Sequence, residues 1–201
     1  MIPYLLDAFT GPGAAFMWTI TAVLAFGLAV LLERCWVLFV RNRADLAAVR
    51  TAVESGDAAA ATAAAGQGEL GKVLQAGLAA TGPDAAWDGM GAAAVEAEEA
   101  LQGRVAYLAT IGNVATMLGL LGTVYGLILA FGALGDTSAG ERAVALSEGI
   151  STAMATTAYG LMVGIPALAA HAWLESRARA TMAGIEATAG RLVVKIRGNG
   201  A

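Results

Sequence analysis

The sequence predicts an all-α membrane protein: three transmembrane helices with long helical extensions on the cytoplasmic side. Three observations carry that reading. First, the chain has 201 residues, of which 58% are hydrophobic and only 14% charged, whereas soluble domains carry about 25% charged residues. Second, three uncharged runs are long enough to cross a bilayer, for which about 20 apolar residues suffice. Third, no apolar–polar alternation is long enough to propose a sheet.

Residues 1–13 read as a periplasmic or interfacial segment, broken from the first span by Gly11-Pro12-Gly13. It is not expected to be a cleavable signal peptide, because no Lys or Arg precedes Arg34. The first span covers 14–40: Ala14 to Leu32 is uncharged, and Glu33 and Arg34 form an interfacial pair near its end. Residues 41–104 form a cytoplasmic helical segment, rich in Ala, with breaks near Ser55-Gly56-Asp57, Gly66-Gln67-Gly68 and Thr81-Gly82-Pro83-Asp84. Asp57 and Asp84 are candidate helix caps. The stretch from Ala85 to Arg104 reads as an extension of the second span, which covers 105–135.

A short periplasmic loop, 136–148, leads to the third span at 149–174, and 175–201 is a cytoplasmic helix. That last helix carries Met182, Ile185, Ala189, Leu192 and Val193 at helical spacing. The basic residues set the orientation. Arg41, Arg43, Arg50, Lys72 and Arg104 come after the first span, and Arg177, Arg179, Arg191, Lys195 and Arg197 after the third, while the outer loop has only Arg142. This places the N-terminus outside and the C-terminus in the cytoplasm.

Spans two and three are marked by small residues. In span two, Gly112, Ala115, Gly119, Gly122, Gly126 and Ala130 recur at intervals of 3 or 4 and form one stripe. Span three has its own: Ala153, Thr157, Gly160, Gly164 and Ala167. Lipid offers no hydrophobic force between helices, so such stripes let backbones approach and gain dispersion contacts. The two spans are predicted to form an antiparallel hairpin, with Pro166 kinking the third.

Hydroxyls lie beside the stripes. Thr116 and Thr123 share a face of span two, as do Thr152, Thr156 and Tyr159 in span three, with Thr157 adjacent. Polar groups in a membrane are costly and usually functional. The plain alternative for any one Thr is a bond to its own i−4 carbonyl. Neither span two nor span three contains Asp, Glu, Lys or Arg. A hydroxyl does not carry protons at neutral pH, so an ion-conducting role requires a carboxylate from a partner.

Other chemistry has little to stand on. One Cys excludes an internal disulfide, and Cys35 reads as a small apolar side chain. One His offers no cluster for a transition metal, and His171 is placed near the cytoplasmic end of span three. The net charge of −4 gives no hint of nucleic acid. With no nucleophile–base pair and no phosphate-cradling loop, neither an enzyme nor a bound cofactor is expected.

The block Ala109-Thr110-Ile111-Gly112, then Gly119-Leu120-Leu121-Gly122-Thr123-Val124-Tyr125-Gly126, resembles the second-helix signature of the MotA/TolQ/ExbB family. The block from Gly149 through Thr156-Thr157-Ala158-Tyr159-Gly160-Leu161 to Ile165-Pro166-Ala167 resembles its third-helix signature, and Glu33-Arg34 the pair that closes its first helix. ExbB and TolQ usually have a glutamate where this chain has Thr152, a proline at Thr116 and a tryptophan at Tyr125. The resemblance implies a ring subunit, typically in five copies, of an inner-membrane motor driven by an ion, by default the proton. The implied partner is a dimer of a single-span protein similar to ExbD or TolR, with an aspartate in its membrane helix. The family's pore-lining threonines fall on Thr123 and Thr157; Thr116, Thr152 and Thr156 complete the candidate ion pathway. Gly112, Gly119, Gly122, Gly126, Gly160 and Gly164 are the candidate packing residues. A non-conducting oligomeric scaffold is the alternative that the same stripes would serve.

Overall fold

The computed structural model describes residues 7–132 and 139–199. Among them there is no strand. The order is α1 (Ala14–Trp36), a π-helical turn (Val37–Arg41), α2 (Leu46–Ser55), α3 (Ala58–Ala65), α4 (Glu69–Leu78), α5 (Pro83–Gln102), α6 (Ala106–Gly132) and α7 (Ala139–Asn199). Three stretches are long and apolar enough to cross a membrane: within Ala14–Ser55, Pro83–Gly132 and Gly140–Gly198. Trp18 and Trp36 are both exposed on α1.

The chain forms two compact units. One is built from Met1–Leu31 and Tyr107–His171, the other from Leu32–Ala106 and Ala172–Ala201. In the first, Ile20 of α1, Ala115 of α6 and Val163 of α7 form the buried centre, with Val23, Leu24, Leu118 and Tyr159 packed on it.

The second unit obeys its local punctuation. Gly56, Gly66 and Gly82 have φ of 80°, 67° and 109°, a region that side chains with a Cβ avoid, and each stands where one helix stops or the next begins. Asp57 caps α3 through the Ala60 N–H at 2.9 Å, as the sequence suggests. Asp84 does not cap: Gly82 takes that position, Pro83 opens α5, and Asp84 sits in the first turn, where a negative charge faces the positive helix end. Asp45 caps α2, accepting from Ala47 and Ala48. The expected apolar ladder of the last helix, Met182, Ile185, Ala189, Leu192 and Val193, is buried.

Two helix limits differ from the sequence expectation. The second span is not one helix with its extension. α5 ends at Gln102, Gly103 closes it by donating to Glu99 O, and Val105 makes a tight turn onto Gln102 O before α6 begins. The loop read at 136–148 is helical from Ala139, where α7 begins with Glu141 in its first turn. Residues 1–6 of the N-terminal segment, 133–135 of the second span and 136–138 of the loop lie outside the described residues. Pro166 stands inside α7, which continues through it.

Candidate functional site

The site is the α6–α7 hairpin, and its geometry is set by glycine. The predicted stripe of α6 is buried along its whole length: Gly112, Ala115, Gly119, Gly122, Gly126 and Ala130. Opposite it on α7, Ala153, Gly160 and Gly164 are buried and Thr157 and Ala167 are half-buried. A Cβ on Gly112 would lie 3.0 Å from Gly164 O, one on Gly119 3.1 Å from the Gly160 Cα, and one on Gly126 2.7 Å from Ala153 N. As the α6 number rises the α7 number falls, so the helices run antiparallel, backbone against backbone. The contact at Gly126 is closer than a Cβ allows, and those at Gly112 and Gly119 are tighter than an ordinary Cβ contact.

The hydroxyls sit along this seam. Thr157 Oγ1 of α7 donates to Gly119 O of α6 at 3.2 Å, a bond across the hairpin. Thr156 is fully buried and donates within its own helix to Thr152 O and Ala153 O, both at 3.0 Å. Its Cβ and hydroxyl close on Gly122, and Gly13 closes on the methyl groups of Thr152 and Thr156. Thr116 donates to Gly112 O at 2.9 Å, and Thr123 to Leu120 O at 2.6 Å. Thr116 and Thr123 are half-buried at the edge of the stripe.

Thr156 and Thr152 are therefore packing residues inside one subunit, wedged where α1, α6 and α7 meet. Thr157 ties the two striped helices together. Among the described residues Thr123 bonds its own helix alone, and it keeps an accessible oxygen that can accept a hydrogen bond. The shared face read for Thr152, Thr156 and Tyr159 is the face that turns to the start and middle of α1. Tyr159 Oη lies 2.9 Å from Thr21 Oγ1, whose own proton goes to Met17 O at 2.8 Å, so Tyr159 is the donor.

Some residues were not legible as site residues. Thr21 is one of two hydroxyls in an apolar span, and only the fold brings it to Tyr159. Asn113 and Thr110, polar residues of the second span already visible in the sequence, are exposed on α6. In the second unit, Glu33 is bonded by Arg34 at 2.9 Å and also by Arg104, and buried Arg34 donates to Ala100 O at 3.0 Å. The expected interfacial pair is thus a triad that ties the end of α1 to the end of α5.

A family model described as the MotA/TolQ/ExbB proton channel family matches residues 65–187, more than half of the chain. The chain belongs to the MotA/TolQ/ExbB family. The matched region holds both glycine-striped helices and every hydroxyl of the seam except Thr21. Biopolymer transport protein exbB1 of Vibrio cholerae is 42% identical over 81 residues, 40% of this chain and 36% of that protein. The Tol-Pal system protein TolQ of Haemophilus influenzae is 43% identical over 82 residues, 41% of this chain and 36% of that protein. A putative biopolymer transport protein ExbB-like 2 of Helicobacter pylori is 44% identical over 71 residues, 35% of this chain and 47% of that protein. The matched stretches thus span less than half the length of these relatives. A solved structure of C. jejuni MotAB is similar over 95% of this chain and 75% of that chain, with a TM-score of 0.40 and 15% identity.

Proposed function

We propose that this chain is the ring subunit of an ion-driven motor in the bacterial inner membrane, with its N-terminus periplasmic and its C-terminus cytoplasmic. Several copies, five by analogy with the family, surround a dimer of a single-span partner that carries an aspartate in its membrane helix. Ions moving down their gradient, protons by default, turn ring and partner relative to one another. The partner passes the work to a periplasmic or outer-membrane process.

The observation that carries this reading is the hairpin: two backbone-packed helices of this family, lined with hydroxyls and without a carboxylate between 106 and 132 or between 149 and 174. Such a lining polarises and orients but does not titrate, so the carboxylate belongs to the partner. Asn113 supports an assembly too. An exposed amide on a membrane helix is expensive against lipid, so the α6 face with Thr110 and Asn113 meets protein or water in the working complex. The driving force is adequate. One charge crossing 100 mV supplies about 2.3 kcal/mol, enough to bias a step along a smooth lining.

The scaffold reading has one observation in its favour: Thr152, Thr156 and Thr157 are engaged within the subunit. Thr123 separates the two. Proton uptake is measured in inverted vesicles holding the chain with its cognate partner. The motor reading expects Thr123→Ala to assemble normally and to lower uptake about tenfold; wild-type uptake would favour the scaffold. Replacing sodium at constant potential tests the ion, and unchanged output is expected for protons.

A further inference from the structure

The second unit presents two surfaces that fit each other but belong to different faces of one chain. The first is on α5, which holds Asp84, Asp88, Glu96, Glu98 and Glu99 and no basic residue. Trp87 and Val95 are 58% and 68% exposed, and between them Gly91 has open space around it. These positions, spaced by four, lie on one helix face, with Asp84 and Glu98 beyond its two ends. Asp84 is already paired with Arg197 of α7 at 3.1 Å, whereas Asp88, Glu96 and Glu99 make no ion pair among the described residues.

The second surface is a groove of about 650 Å³ between α2 and the last turns of α7. It is lined by buried Val53, by Ala187, Gly190 and Gly198, and by Val194, which is 72% exposed. Gly190 and Gly198 have nothing within 4 Å of a Cβ position. Arg191 and Lys195 edge the groove, held by Glu54 at 3.2 Å and by Glu54 O at 2.9 Å. No residue of α5 lines it.

We propose that this groove receives the Trp87 face of α5 from a second copy of the chain. The inference rests on the ring reading above and names its contact outside the membrane. Three features select a second copy. α5 is acidic, and Lys195 at the groove's edge donates to a backbone oxygen and pairs with no carboxylate among the described residues, so the charges are complementary. An exposed Trp is matched by a groove lined in part by glycine, the arrangement of an interface anchor, and the Arg191 guanidinium on its edge would meet the indole face. The two surfaces differ, so the contact is head-to-tail, and head-to-tail contacts that close produce rings.

The test uses the full-length chain in membranes, with Cys35→Ser as background. Asp88→Cys and Lys195→Cys are combined, leaving Trp87 in place, and disulfides are formed by mild oxidation. A ladder of linked copies beyond the dimer is expected from the double variant and from neither single variant. Native mass spectrometry of the same material keeps the two readings apart. Several copies without a ladder would overturn the groove and leave the ring standing; a single copy would overturn both. Linkage within one single variant, or to another protein, would also overturn the groove. Trp87→Ala, with the fold checked by circular dichroism, is expected to weaken association about tenfold or more; unchanged association would count against the anchor.

Discussion

Gly160 of α7 lies against Gly119 of α6 so closely that a Cβ on Gly160 would stand 2.8 Å from the Gly119 Cα and 2.7 Å from Ala115 O. Both obstacles are backbone, and neither can rotate away. Gly160→Ala is therefore expected to lower the stability of the hairpin by about 1–3 kcal/mol, the usual cost of overpacking. Gly160→Leu is expected to prevent its formation. Unfolding of the purified protein in detergent reads the first, and protease resistance in membranes the second. An alanine variant as stable as the wild type would mean that the helices are not this close.

Thr157 and Thr123 should behave differently although both are seam hydroxyls. Thr157 bonds across to Gly119 O, and interhelical hydrogen bonds in membranes contribute about 0.6–1.7 kcal/mol. Thr157→Val is expected to lose that amount and Thr157→Ser to retain it. Thr123 bonds only Leu120 O of its own helix, so Thr123→Ala should leave stability unchanged. Equal stability losses at the two positions would contradict the assignment.

Tyr159 and Thr21 form the polar link between α7 and α1. Tyr159→Phe and Thr21→Val are each expected to destabilise the first unit, and the double variant to cost little more than either. A double-mutant cycle should give a coupling of about 0.5–1.5 kcal/mol. Strict additivity would rule the link out.

Asn42 joins two elements of the second unit. Its Oδ1 accepts from Glu69 N at 2.8 Å, at the start of α4, and its Nδ2 donates to Val37 O at 3.0 Å in the π-helical turn. Beside it, Glu69 is buried and bonded by Arg41 and Lys72, each at 3.0 Å. Asn42→Ala should cost about 1–2 kcal/mol, as the loss of a helix cap does. Amide exchange in the first turn of α4 should quicken; unchanged protection there would contradict the capping role.

The hairpin was legible in the sequence because its cause is local and periodic. Gly112 through Ala130 mark a face by spacing alone, and the fold buries that face. The signature blocks made the family legible as well. What escaped was tertiary. The periodicity that groups Thr152, Thr156 and Tyr159 says nothing about what they face, and the fold turns them toward α1. The caps show the same limit: Asp57 and Asp84 look alike in sequence, but Gly82-Pro83 already supplies the start of α5. Glu69 shows in sequence only Lys72, three residues on in the same helix, while its other partner, Arg41, lies on another element.

The central claim is a ring that borrows its carboxylate from a partner, and the mass of the complex purified with its membrane neighbours tests that most directly. Native mass spectrometry should find several copies of this chain carrying a few copies of a small single-span protein, and that protein's membrane helix should contain an aspartate. A stable homo-oligomer with no carboxylate-bearing partner would leave the lining without a proton carrier and contradict the claim.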